Sequence, residues 1–408
     1  LCGAAYHPTR GAEFYRAGSA DGYSYVESRR GDIVRPRVRQ RKEEAATEEV
    51  ALESYTAAQD ASEAQRLLLE ALVAAGSMRK VGKVVHNQRG SSKSYVSRLW
   101  QKVGREKFSE LRHRSLDVDT EGEPRDWLAL MLDGVSLAKD LLAVVAVGIT
   151  TEGRKVVLDF ELGASENVTA ASALVARVVE RGFAPSGDRP LLVVLDGSEA
   201  LRKAVMKHFP KARIQRCLVH KERNLKRYLA RRDWPELNDH FDRLRKAQGA
   251  QAALEILREL DAFLKRKNAA ARQSLHEAGL DLIRIHLLDT PSTLHRSLLS
   301  TNMIENTIRN FRHSSGRVNR WRVETDQAAR WLATGLLSAE EGFQRLSHYG
   351  DLPVLLAHLK TKRDCKNLGA LKEKLPDWLR KEVPQVDEVE DNVLPACVGA
   401  GSQAICVV

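Results

Sequence analysis

Apolar and polar positions alternate between two periods along the chain, and the places where the period changes divide it. Near the start, Tyr23-Ser-Tyr-Val-Glu-Ser and Gly31-Asp-Ile-Val-Arg-Pro-Arg-Val-Arg predict a small hairpin followed by a basic arm over residues 1–60. From about Ala61 the spacing turns helical, with Leu68, Leu72 and Val73, then Val81, Val84 and Val85, then Val96, Leu99, Trp100 and Val103. Three short amphipathic helices are expected there, the last opening after Gly90-Ser-Ser92. Between Trp127 and His220 short apolar runs return. Trp127-Leu-Ala-Leu-Met-Leu132 predicts a strand ending at Asp133-Gly134; Leu141–Gly148 and Arg154–Phe160 predict two more, joined by a turn. A helix through Val168, Ala171, Leu174, Val175 and Val178 stops at Gly182, and Leu191-Leu-Val-Val-Leu195 gives a buried strand ending at Asp196-Gly197. A helix through Leu201 and Val205, then a strand over residues 212–219, complete the series.

The order is β-β-β-α-β-α-β, that of a ribonuclease-H-like mixed α/β sheet with the first and fourth strands as neighbours. Residues 221–299 are helical and charged, with Leu237, Phe241, Leu244, Leu254, Leu257, Leu260 and Leu264 at helical spacing, which predicts an all-helical insertion. Ser300-Thr-Asn302 then caps a helix with Ile304, Ile308 and Phe311 on its apolar side and Glu305, Arg309 and Arg312 opposite. The expected domains are the hairpin and arm (1–60), a helix-turn-helix-like DNA-binding region (61–115), the first part of the α/β core (125–220), the insertion (221–299), the last part of the core (300–345), and a C-terminal helical region with a disordered tail (346–408).

Charge adds a partner. The 408 residues carry a net +11, which points to a polyanion. Lys93, Arg98 and Lys102 on the third N-terminal helix would sit on phosphates if that helix entered a major groove, the alternative being a helical subdomain with solvated lysines. Five scattered cysteines, at positions 2, 217, 365, 397 and 406, do not suggest a disulfide framework. With no membrane-length apolar run and no signal pattern, a cytoplasmic protein without membrane contact is expected. Leu1 implies an alternative start codon or a missing natural amino terminus.

The candidate chemistry lies at the ends of the two apolar runs. Asp133 and Asp196 would face one crevice and share a divalent cation, because hard ions prefer oxygen ligands. Each alone also reads as a turn-forming Asp-Gly. Asp159 falls mid-strand, and Asp117 and Asp119 in a polar linker, so they are weaker candidates. Cys217 and His220 form a Cys-x-x-His pair, which is half of a zinc site without a second half, or else a buried thiol and a turn-capping histidine. Trp234, Trp321 and Trp331 read as core residues, with base stacking as the alternative.

Several strings carry a family resemblance: Leu132-Asp-Gly134, Asp196-Gly-Ser-Glu-Ala-Leu201, His208-Phe-Pro210, Gln215-Arg-Cys-Leu-Val-His220-Lys-Glu-Arg-Asn224 and Ser300-Thr-Asn-Met-Ile-Glu305-Asn306. In this order they resemble the Mutator-type transposases of bacterial insertion sequences, over about residues 20–345. The resemblance implies an Asp-Asp-Glu triad of Asp133, Asp196 and Glu305, which would bind Mg²⁺ or Mn²⁺ as two ions and cut and join DNA. It also implies terminal inverted repeats and target DNA as partners, a homodimer or higher oligomer on DNA, and Cys217 and His220 as a structural signature. A catalytically inactive DNA-binding relative, repressing or titrating element ends, is the other function compatible with the same residues.

Overall fold

Apolar residues on both faces of a strand force it into the middle of a sheet, and Trp127–Met131 bury every side chain. In the computed structural model, which describes residues 13–26, 29–41, 47–60, 66–67, 93–164, 167–315, 318 and 321–380, this run opens β4 (Trp127–Ala138). The strands before it are β1 (Phe14–Val26), β2 (Arg29–Arg41) and β3 (Thr47–Val50), an antiparallel three-stranded sheet in that order. The expected hairpin is thus larger than its alternating piece, because the basic arm is itself β2, paired along its length with β1. Arg35 and Arg37 both meet Glu49 of β3, so part of the arm's charge is neutralised within the sheet. A short helix α1 (Glu53–Ala58) follows.

The expected helices between 61 and 92 lie outside the described residues, apart from 66 and 67. The third is α2 (Lys93–His113), 21 residues and so longer than the short helix expected. Val96, Leu99 and Trp100 are buried along it, as their spacing predicts.

β5 (Leu141–Thr150) and β6 (Lys155–Gly163) continue the antiparallel meander from β4. Gly148 of β5 is needed for space, since a Cβ there would lie 2.4 Å from the Trp127 ring. α3 (Val168–Glu180) is capped by the Asn167 side chain accepting from Ala170 N. Then come β7 (Leu192–Leu195), α4 (Glu199–His208) and β8 (Arg213–Arg216). The five strands form one mixed sheet in the order β6-β5-β4-β7-β8, with β7 and β8 parallel.

Two predicted strand ends are corrected. Asp133 does not end β4: it pairs with Val145, and the ladder runs on through Gly134↔Val144 and Val135↔Ala143. The Asp-Gly turn signal is overridden by a partner strand long enough to hold it extended, and the reversal falls at Lys139 and Asp140. The strand predicted over 212–219 stops at Arg216, because Leu218 opens the helix α5 (Leu218–Lys226) with Cys217 at its N-cap.

The chain divides into two compact units. The first contains Leu1–Gly187, Ser198–Ala212 and Thr301–Leu346. It is held partly by charge. Asp159 on β6 is fully buried and meets Arg112 of α2 at 3.5 Å, Arg177 of α3 at 3.1 Å and Arg181 at 3.4 Å. A buried carboxylate is tolerated only when so paired, and removing one partner from such a set typically costs about 3–5 kcal/mol. This unit also contains α11 (Asn302–Ser315) and α12 (Gln327–Glu341). Trp331 of α12 packs on Trp100 of α2 at 4.3 Å between ring centres, as a core residue. Arg114 clamps the Glu340 carboxylate with both ends of its guanidinium.

The second unit contains Asp188–Gly197, Arg213–Ser300 and Ser347–Val408. Beyond β8 every described element of it is helical, as predicted for 221–299: α6 (Trp234–Lys246), α7 (Gly249–Lys267), α8 (Ala269–Ala278), α9 (Arg284–Leu287) and α10 (Ser292–Leu298). After 346 come α13 (Leu352–Lys360), α14 (Arg363–Leu371) and α15 (Asp377–Arg380). The predicted disordered tail lies outside the described residues. Polar groups are buried among these helices with partners: Gln215 Nε2 donates to Leu282 O while its Oε1 accepts from Ile285 N, and His286 meets Leu244 O at 2.9 Å.

Burial, reinforced by His295, pulls the His286 imidazole down to about 4. Below the ordinary value near 6.5 the unfolded chain takes up a proton that the folded chain refuses, so stability falls as pH drops through the window from about 6.5 to 4, by roughly 3 kcal/mol in total. Urea midpoints between pH 7 and 5 should fall accordingly, and the slope should be shallower in His286→Gln.

Candidate active site

Asp133 is the seventh residue of β4 and its side chain is 1% exposed. A carboxylate buried that deeply needs compensation. Glu305 approaches it from α11. Thr301 opens this helix by accepting from the backbone N of Ile304 and Glu305, and Glu305 in its first turn complements the positive end of the helix dipole. The carboxylate oxygens of Asp133 and Glu305 come within 4.8 Å of each other.

The phase of α11 follows its sequence pattern. Ile304, Thr307, Ile308 and Phe311 are buried, Glu305 is half-buried on the flank, and Arg309 and Arg312 are exposed. Arg312 has a second role that spacing alone does not reveal: its Nη2 donates to Ser136 O at 2.6 Å, tying the helix to the strand that carries Asp133. Arg309 donates to Asn306 within its own helix. Of the other predicted DNA contacts, Lys93 is the first residue of α2, and Arg98 and Lys102 are exposed on the side away from Trp100.

In the second unit Asp196 follows β7 directly, at the strand's carboxyl end as predicted, and is half-buried. The turn after it depends on Gly197, whose φ of +110° lies in the region L side chains avoid. Cys217 is a fully buried free thiol whose N donates to Leu195 O at 2.6 Å, joining the start of α5 to the end of β7. Among the described residues Cys217 belongs to no group of three or more ligand atoms within 4.8 Å of one another. His220 is the third residue of α5 and half-buried. The neighbouring Lys221 is fully buried, donating to Ser274 Oγ at 2.9 Å. Burial, with a contribution from Arg216, lowers its ammonium to about 8.

Two carboxylates brought this close repel each other, and a divalent cation between them turns that repulsion into attraction. Hard oxygen donors of this kind fit Mg²⁺ or Mn²⁺. The class defined is therefore a mixed α/β protein with a candidate oxygen-donor metal site on a central strand and the helix beside it.

The comparisons narrow the class. Residues 28–345 match the family model "Transposase, Mutator family", and the chain belongs to that family. It is 28% identical over 229 residues to the transposase for insertion sequence element IS905 of Lactococcus lactis, covering 56% of each chain. It is 27% identical over 161 residues to that for IS1201 of Lactobacillus helveticus, covering 40% of this chain and 42% of the relative. Against the transposase for IS256 in transposon Tn4001 of Staphylococcus aureus it is 26% identical over 243 residues, covering 58% and 60%. The chain thus spans about half the length of the relatives it matches. No helix among the described residues is long and apolar enough to cross a membrane.

Removing the buried δ- and γ-carbons of Ile308 should cost about 2–5 kcal/mol. Arg309→Ala should melt as the parent does, and Arg312→Ala should lose about 1 kcal/mol with its bond to Ser136. Thermal and urea unfolding of the three variants check the phase of α11.

Proposed function

We propose that the protein is a DNA transposase that binds the terminal inverted repeats of an insertion sequence and cuts and joins DNA at a metal-dependent site formed by Asp133, Asp196 and Glu305. The observation that carries this reading is the approach of Asp133 and Glu305 to within 4.8 Å from elements far apart in the chain. The mixed order β6-β5-β4-β7-β8, with an antiparallel meander beside a parallel pair, supports a ribonuclease-H-like core interrupted by the helical insertion.

Asp133, Asp196 and Glu305 would hold the divalent ions through their carboxylates. When bound, paired divalent ions activate the attacking oxygen and stabilise the leaving one in an in-line displacement. The chain's own part is to fix the donors: β4 holds Asp133 rigidly by its ladder, and Arg312 holds α11 against Ser136. Arg309, with Arg98 and Lys102 on α2, would lie along the phosphate backbone, and Lys93 would join them. The region 61–115 would read the repeats, in a homodimer or higher oligomer acting on the nucleoid.

Asp133→Asn, Asp196→Asn and Glu305→Gln should each reduce cleavage of element-end DNA in Mg²⁺ or Mn²⁺ to background while end binding and melting temperature persist. Cleavage retained in any one variant removes that residue from the site. A parent protein that binds ends without cutting them in either metal would instead be an inactive, end-titrating relative.

A further inference from the structure

Arg216, the last residue of β8, is packed against the turn that follows Asp196. Its neighbour across the parallel ladder is Leu195, the last residue of β7. Its Nη2 donates to Gly197 O at 3.3 Å and lies 3.5 Å from Glu277 Oε1. The guanidinium occupies the space that a side chain at position 197 would need: a Cβ there would lie 2.2 Å from Nε and 2.6 Å from Cζ. Only 11% of the side chain is exposed, and its Nε has no hydrogen-bond partner among the described residues. Gly197 therefore answers two demands at once, the positive φ of the turn and the approach of the guanidinium.

A surface ion pair does not explain this placement. Glu277 is 60% exposed, and such a pair contributes little. A planar, permanently charged group seated on the peptide beside a metal-binding carboxylate has another use. It restricts the directions the turn can take, and so the direction in which the carboxylate points. Residues that orient metal ligands from behind commonly change metal affinity or activity by about 10–100-fold when replaced.

We infer that Arg216 is a positioning residue that clamps the Asp196-Gly197 turn and thereby holds the Asp196 carboxylate ready for a divalent cation, an inference that rests on Asp196 being a ligand.

The test measures Mn²⁺ affinity by paramagnetic resonance of the free ion, beside cleavage of end DNA and thermal melting, on the full chain. Arg216→Ala should weaken Mn²⁺ binding about tenfold and raise the Mn²⁺ needed for half-maximal cleavage by the same factor, with end binding in chelator unchanged. Arg216→Lys, which keeps the charge and loses the fork, should fall between. Gly197→Ala, which forces the guanidinium aside, should act in the same direction, and carries the test together with Arg216→Lys if Arg216→Ala does not fold. Wild-type Mn²⁺ affinity in the folded Arg216 variants, with Asp196→Asn impaired, overturns the inference and leaves the proposed site standing. Wild-type affinity and cleavage in Asp196→Asn overturn both.

Discussion

A carboxylate in the middle of a buried strand is the constraint on which the first unit turns. Asp133 has apolar neighbours before it on β4 and a paired β5 beside it, so its charge cannot relax towards water by a small backbone shift. The cost of that burial is tolerable only if the surroundings are polar and held still. The ladder of β4 with β5 supplies the stillness. The arginine trio around Asp159 fixes α2 and α3 to β6, and so steadies the sheet from its edge strand. Against that frame α11 needs only to present one glutamate, and its apolar side together with the Arg312 to Ser136 bond sets its height and rotation.

The second unit solves a related problem with shorter strands. β7 and β8 have four residues each, too few to fix a carboxylate by ladder bonds alone. The turn after β7 is instead secured by side chains and by backbone groups that meet it: Cys217 N on Leu195 O, and the Arg216 guanidinium on Gly197. Behind them stands the helical bundle. Gln215, on β8, bridges into it through Leu282 and Ile285, so the strand that carries Arg216 is anchored in helices. The helices that follow β8 thus hold the strand that carries Arg216.

Membership of the Mutator family and the approach of Asp133 to Glu305 are two separate observations. The family match rests on ordered sequence over residues 28–345, whereas the approach of the two carboxylates rests on packing between β4 and α11. Acidic groups near one another are common without a metal. One of the two is almost fully buried, Asp133 being 1% exposed.

The order of strands and helices from Trp127 onward, the helical character of residues 221–299 and the face of α11 could be read from the chain alone, because each depends on local periodicity summed over several residues. Ile304, Ile308 and Phe311 lie inside and Arg309 and Arg312 outside because a helix has only one way to bury three residues so spaced. Places where local and long-range preferences compete could not be read. Asp133-Gly134 carries a turn signal, yet pairing with Val145 and Val144 holds it extended, and nothing within a few residues reveals that a partner strand will reach so far. The end of β8 is decided in the same way, by a helix that starts as soon as Cys217 has bonded back to Leu195. The contacts of Arg216 with Gly197 and of Arg312 with Ser136 belong to tertiary structure entirely: each joins residues distant in sequence, and an arginine looks alike in a sequence whether it faces a phosphate, water or a backbone carbonyl.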